Sequence, residues 1–147
     1  MKKIAFFLFL ILYIISSCTS KSSTKEDYIS NETKQLLLSL NKCYEKIVII
    51  PGTGCSGCIS ESEIFLINNY MNKQILFILT NTKSIKSLNN KIGKNVKKLS
   101  NIYIDYDNVF SHYENPIYPV VVTNDCDKKK VNNVSFQSPD NNAFKNL

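Results

Sequence analysis

One stretch of the sequence decides the fold: residues 47–58 read IVIIPGTGCSGC. Its first part, Ile47 to Ile50, is wholly apolar and β-branched, which is typical of a strand covered on both faces. The glycines and proline of residues 51–54 end that strand. Polar residues after Cys58 suit the first turn of a helix, which we expect over 58–71. The two cysteines are therefore predicted to lie between a buried strand and a helix start.

The rest of the chain alternates predicted helices and strands. We expect helices over 32–44 and 85–99, a helical turn over 107–113, strands at 75–79, 102–104 and 120–123, and a hairpin partner strand at 131–136. Helices between strands predict a largely parallel sheet, to which the terminal hairpin adds an antiparallel edge. The predicted fold class is α/β, with a central mixed sheet, flanking helices and no obvious final helix after the hairpin.

The amino terminus has the pattern of a secretory leader, with basic residues 2–3 and an apolar run over 4–15. Residues 15–18, ISSC, resemble a lipobox, in which Cys18 receives a lipid and becomes the first residue after cleavage. The sequence thus predicts a signal peptide over 1–17, a lipidated cysteine and flexible tether over 18–30, and one domain over 31–147. The alternative is an uncleaved anchor, which would leave the domain outside the same membrane.

Composition and cysteine content limit the partners. The net charge is +6 and every basic residue is Lys, so no Arg offers bidentate contacts to phosphates or guanines. Together with export, this argues against nucleic acid. Lipidation of Cys18 leaves an even set of cysteines in a compartment where disulfides persist. The remaining four are Cys43, Cys55, Cys58 and Cys126.

The position of CSGC favours redox chemistry. Free N–H groups at a helix start stabilise an anion, so Cys55 could hold a thiolate near neutral pH. Cys58 lies close enough in sequence to resolve a mixed disulfide by attacking Cys55. The alternative is a structural disulfide on a non-catalytic binding or scaffold protein.

Three pieces of the sequence resemble the thioredoxin fold, most closely the membrane-anchored thiol-disulfide oxidoreductases of the TlpA and ResA type. The first is strand, CSGC and helix; the second is YIDYD at 103–107, leading through Phe110 and Tyr113. The third is Tyr118-Pro119 directly before the strand at 120–123. The resemblance covers roughly residues 47–136.

This resemblance implies a function and a substrate-binding loop. It implies an enzyme acting on exported protein or peptide disulfides through Cys55 and Cys58, served by a membrane or periplasmic redox partner and needing no metal or organic cofactor. Tyr118 and Pro119 would bind substrate, with a cis proline facing the dithiol. Several features depart from the family. Gly54 stands where an aromatic residue usually precedes the first cysteine, the chain has no Trp, and the strand at 47–50 supplies no buried carboxylate. The final helix and the usual glycine of the hairpin turn at 124–127 are also missing from the sequence pattern.

The other two cysteines are candidates for a structural disulfide. In the thioredoxin-like arrangement, the strand at 47–50 runs antiparallel beside that at 120–123, so Cys43 and Cys126 fall at the sheet end away from CSGC. A Cys43–Cys126 disulfide is our hypothesis, and two separate buried thiols are the alternative. Zinc is disfavoured because His112 and the cysteines show no paired spacing, and haem because Ile59, not His, follows Cys58.

Overall fold

The computed structural model describes residues 24–147, which form a five-stranded mixed sheet flanked by helices. The helices are α1 (Lys25–Leu40), α2 (Ser56–Asn69) and α3 (Ile85–Ile92). The strands are β1 (Lys46–Pro51), β2 (Ile75–Thr80), β3 (Ile102–Asp105), β4 (Val120–Asp125) and β5 (Lys130–Phe136). Short 3₁₀ helices span Val96–Lys98, Val109–Ser111 and Ala143–Asn146. The predicted α/β class is confirmed.

The sheet order is β3-β2-β1-β4-β5. Strands β1, β2 and β3 are parallel, as the intervening helices predict, and β4 runs antiparallel to both β1 and β5. The carboxyl ends of the three parallel strands therefore meet at one edge of the sheet, which we call the carboxyl edge. The central position of β1 places the loop that follows it, and hence CSGC, at the middle of that edge.

Strand β1 is buried on both faces because its side chains alternate between two cores. Ile47 and Ile49 contribute to the core beneath α1, and Val48 and Ile50 to the core beneath α2 and α3. All four side chains are buried. The predicted double-faced burial of this apolar run is confirmed.

Helix α1 begins earlier than the sequence suggested, and this corrects the predicted tether. Residues 25–30 are helical, although we expected a flexible segment up to residue 30 and a helix only from Glu32. Thr24 and Asp27 form a capping box, in which each side chain accepts the other's backbone N–H. Ile29 is fully buried against the sheet, so tertiary packing fixes this first turn. The predicted leader, Cys18 and the first part of the tether lie outside the described residues.

Two other predicted helices are shorter than expected. Gly93 adopts a left-handed φ of 71° and ends α3, and only the 3₁₀ helix at 96–98 continues the apolar stripe toward Leu99. The turn predicted over 107–113 is a 3₁₀ helix of three residues. Buried Asp105 holds it, because its carboxylate accepts the Val109 and Phe110 N–H groups at 3.0 and 2.9 Å.

The hairpin is followed by a 3₁₀ helix rather than a longer helix. Phe144 stacks on Phe65 of α2 with ring centroids 5.0 Å apart, and Leu147 packs on the same core. Buried Gln137 fixes this segment by accepting the Ala143 N–H at 2.7 Å. These aromatic and apolar contacts extend the core beneath α2 and α3. Among residues 24–147, no helix is long and apolar enough to cross a membrane.

Thr33 offers a test of the core beneath α1. Its hydroxyl is fully buried and lacks a hydrogen-bond partner among the described residues. Thr33→Val replaces this hydroxyl by a methyl group of similar size, and we expect the free energy of unfolding to rise by about 1 kcal/mol. Urea unfolding of the two proteins measures this difference. Thr33→Ser, which keeps the hydroxyl and loses a methyl group, should instead destabilise, and a stabilising Ser variant would contradict the explanation.

Candidate active site around Cys55 and Cys58

Cys55 and Cys58 lie at the carboxyl edge of the sheet, between β1 and α2. Their sulfurs are at disulfide-bonding distance, and their Cα atoms are 5.4 Å apart. Cys55 is the N-cap of α2, where its Sγ accepts the backbone N–H of Cys58 at 3.4 Å. Helix α2 thus begins at Ser56, not at Cys58 as predicted, because the cysteine itself supplies the cap.

The two sulfurs differ in accessibility. Cys58 is 5% exposed, whereas Cys55 is half-buried. The first turn of α2 carries no acidic side chain that would oppose a thiolate. After reduction, the Cys58 N–H and the positive end of the helix dipole would therefore favour the ionised form of Cys55. Only Cys55 is placed to meet a large substrate.

The loop before β4 contacts the dithiol through Ile117. The Ile117 carbonyl accepts the backbone N–H of Cys55 at 3.0 Å. Gly54 fits this close approach because it has φ of 135° and no side chain; a Cβ there would collide with the Ile117 backbone. The absence of an aromatic residue before the first cysteine thus has a local steric reason.

The predicted cis proline is wrong. No cis peptide bond occurs among residues 24–147, so the Tyr118–Pro119 bond is trans. Pro119 is buried, and its carbonyl accepts the Gln137 N–H at 2.8 Å, which joins it to the chain after β5. Pro119 is tolerated directly before β4 because no neighbouring strand needs a backbone N–H at this position, so its missing N–H removes no hydrogen bond of the sheet. Ile117, rather than Pro119, makes the backbone contact with the dithiol.

Tyr118 keeps a free backbone beside this contact. Within the described chain, neither its N–H nor its carbonyl has a partner, and its side chain is half-buried. Ile117 next to it is 41% exposed. An extended peptide could therefore pair with the Tyr118 backbone and rest an apolar side chain on Ile117.

A small cleft lies between the end of β1, α2 and the start of α3, and no residue of CSGC lines it. Its volume is about 170 Å³. Gly52, Ile59, Ser84 and Leu88 are among the residues that line it. The cleft is large enough for a side chain, not for a cofactor of nucleotide size.

Two tyrosines near the carboxyl edge, Tyr28 and Tyr113, are packed against neighbouring rings and have raised pKa values. Burial raises the pKa of Tyr113 to about 12, and its ring lies between those of Tyr28 and Phe136. Burial, with Glu32 and Asp105 nearby, also raises the pKa of Tyr28, whose hydroxyl donates to the Val109 carbonyl at 2.9 Å. These two rings therefore pack at the edge of the sheet, with their hydroxyls neutral at physiological pH.

Cys43 and Cys126 are brought together at the opposite end of the sheet. Their sulfurs are at disulfide-bonding distance, and their Cα atoms are 5.8 Å apart. The antiparallel pairing of Lys46 with Thr123 sets this proximity, because Cys43 lies just before β1 and Cys126 just after β4. With the cysteines in two separate pairs, residues 24–147 contain no cluster of three or more metal-ligating side chains.

Sequence reasoning missed two contributors to these sites. Ile117 contacts Cys55 through its backbone carbonyl from a distant segment of the chain, which no local pattern reveals. Buried Asn124 donates its amide to Cys43 Sγ at 3.1 Å and to the Tyr44 carbonyl at 3.2 Å. Local sequence gave no signal for this last residue, because Asn124 directly follows the predicted strand at 120–123 and precedes Asp125, as a turn residue would.

No protein-family model, no curated protein and no solved structure matches this chain.

Proposed function

We propose that this chain is a lipid-tethered thiol–disulfide oxidoreductase with a thioredoxin-like fold, acting outside the cytoplasm on protein or peptide disulfides. One observation carries the proposal: half-buried Cys55 caps α2 beside buried Cys58, with the two sulfurs at bonding distance. The sheet order, with CSGC after the central parallel strand, is compatible with the fold. It therefore supports the resemblance found in the sequence.

The chemistry requires only the two cysteines and a substrate disulfide. The Cys55 thiolate attacks one substrate sulfur, forms a mixed disulfide and expels the other substrate sulfur as a thiolate, which takes up a proton. Cys58 then loses its proton and attacks Cys55 Sγ, which releases the second substrate thiolate and leaves the Cys55–Cys58 disulfide. Two electrons pass to the substrate, and a dithiol partner returns the protein to the reduced state. Oxidation of a substrate dithiol follows the same steps in reverse.

The proposed location rests on the leader and on the cysteines. The ISSC sequence at 15–18 supports lipidation of Cys18 and anchorage to a membrane. Two cysteine pairs at bonding distance within one small domain agree with a compartment where disulfides persist. The substrates of the proposed enzyme are then exported proteins or peptides.

A trapping experiment tests the function. In the full-length chain, Cys58→Ser removes the resolving thiol, so the mixed disulfide between Cys55 and a peptide disulfide should accumulate. Of the CSGC pair, the matched variant Cys55→Ser leaves only the buried Cys58 thiol, and we expect its adducts to form about 100-fold more slowly. Mass spectrometry of the alkylated proteins measures both. Equal adduct formation, or none in either variant, would reject the enzyme and favour a binding protein with a structural CSGC disulfide.

A further inference from the structure

A second cavity, larger than the cleft between α2 and α3, lies at the end of the sheet opposite CSGC. Its volume is about 550 Å³, and Cys43 and Cys126 are both part of its lining. One wall is the end of α1 with the loop after it, and the other is the β4–β5 turn. The lining residues of the two walls are Lys34, Leu37, Leu38, Asn41, Lys42, Cys43, Asn124, Cys126, Lys128 and Lys129.

The lining is strongly basic. It contains four lysines and no acidic residue. Lys128 is paired with Asp125 at 3.1 Å, whereas the ammonium groups of Lys34, Lys42 and Lys129 have no ion pair or hydrogen bond in the part of the chain that the structure describes. Three ammonium groups without ion-pair partners around one concave surface make the local electrostatic potential more positive, which favours the binding of an anion.

Lys129 occupies its place at a conformational cost. Its φ of 50° lies in the left-handed region, where Gly or Asn is favoured, at the last position of the β4–β5 turn. Strained residues of this kind concentrate at functional sites. A lysine here supplies a cation to the cavity that a glycine, the less strained residue, would not.

One wall adds an apolar surface. Leu37 and Leu38 line the cavity, and Leu38 is 59% exposed. Lysine ammonium groups bind phosphate as separate point charges, and a dianionic phosphate compensates more of the charge than one carboxylate. We infer that this cavity binds a small phosphate-bearing anion with an apolar part, and that the Cys43–Cys126 disulfide holds its two walls together.

The position of the cavity favours a soluble ligand over a lipid headgroup. Lys34 is the first residue of α1 that lines the cavity, and it lies nine residues, or about 14 Å along the helix axis, after Lys25, where the helix begins. The predicted anchor at Cys18 lies before that residue. The cavity is thus at the end of α1 remote from the tether, whereas the proposed dithiol is at the other end of the sheet.

Calorimetric titration with hexyl phosphate tests this inference independently of the redox function. Lys42→Gln with Lys129→Gln should weaken binding about tenfold at low salt. Lys86→Gln with Lys98→Gln removes the same charge from exposed positions outside the cavity and should leave the affinity nearly unchanged. Methyl phosphate should bind more weakly than hexyl phosphate, and Leu38→Asn should remove that difference. Equal affinities in the two double variants would overturn the site.

Three further measurements separate the explanations. Lys129→Gly should raise the melting temperature while weakening hexyl phosphate binding, which a merely structural lysine would not do; unchanged binding would remove Lys129 from the site. Replacing Cys43 and Cys126 by Ala should weaken binding with Cys55 and Cys58 intact.

Vesicles of phosphatidylglycerol and phosphatidylcholine form the last comparison. The unsubstituted protein could bind the vesicles but not hexyl phosphate, and the Lys42 and Lys129 double variant could lose the vesicle binding. That combination would overturn the soluble ligand in favour of a lipid headgroup.

Discussion

Replacing Cys43 and Cys126 together by Ala is expected to lower the free energy of unfolding by about 4 kcal/mol. The two cysteines are 83 residues apart in sequence, so their disulfide encloses most of the domain. Without it, the unfolded chain regains the conformational freedom of a long loop. The buried amide of Asn124 would also lose the sulfur that it contacts at 3.1 Å.

The second cysteine pair provides the matched control. Cys55 and Cys58 are only 3 residues apart, and closing so short a loop restricts the unfolded chain less. Replacing both of these by Ala should cost about 2 kcal/mol or less, and urea unfolding under oxidising conditions measures both double variants. Equal losses would contradict the assignment of Cys43–Cys126 as the main covalent brace of the fold.

Replacing Gly54 by Ala is expected to destabilise the domain by about 3 kcal/mol and to displace the dithiol. Its φ of 135° is poorly accessible to residues with a side chain, and the new Cβ would collide with the Ile117 backbone. Relief of this collision separates Ile117 from Cys55 and breaks the 3.0 Å bond between them. We therefore expect slower reaction of Cys55 with a peptide disulfide as well as a lower midpoint in urea.

Gly57 is the control for this substitution because it lies between the same two cysteines. A Cβ at Gly57 meets no atom within 4 Å, and the residue is in the first turn of α2. Gly57→Ala should therefore stabilise by about 0.5 to 1 kcal/mol through the helix propensity of Ala. If both variants changed stability alike, the contact between Gly54 and Ile117 would not be the cause.

Much of the fold followed from local patterns. The apolar run at 47–50 predicted a doubly buried strand, alternation with helices predicted the parallel strands, and the hairpin predicted the antiparallel edge. These signals are local because hydrophobic periodicity and turn residues report on the immediate chain. The boundaries of the helices were less predictable. The start of α1 at residue 25 depends on the Thr24–Asp27 capping box and on burial of Ile29 against the sheet. The polar composition of this segment predicted a flexible tether instead.

The candidate site likewise has features that local sequence predicted and features that only the tertiary structure shows. The sequence by itself determined that Cys55 and Cys58 stand between a strand and a helix, because a strand end, a turn and an N-cap are read within a few residues. Only the tertiary structure decided that Ile117 meets Cys55, that the Tyr118–Pro119 bond is trans, and that Cys43, Cys126 and four lysines share one cavity. These relations join segments far apart in the chain, and their physical basis is strand order and register, which local sequence does not encode.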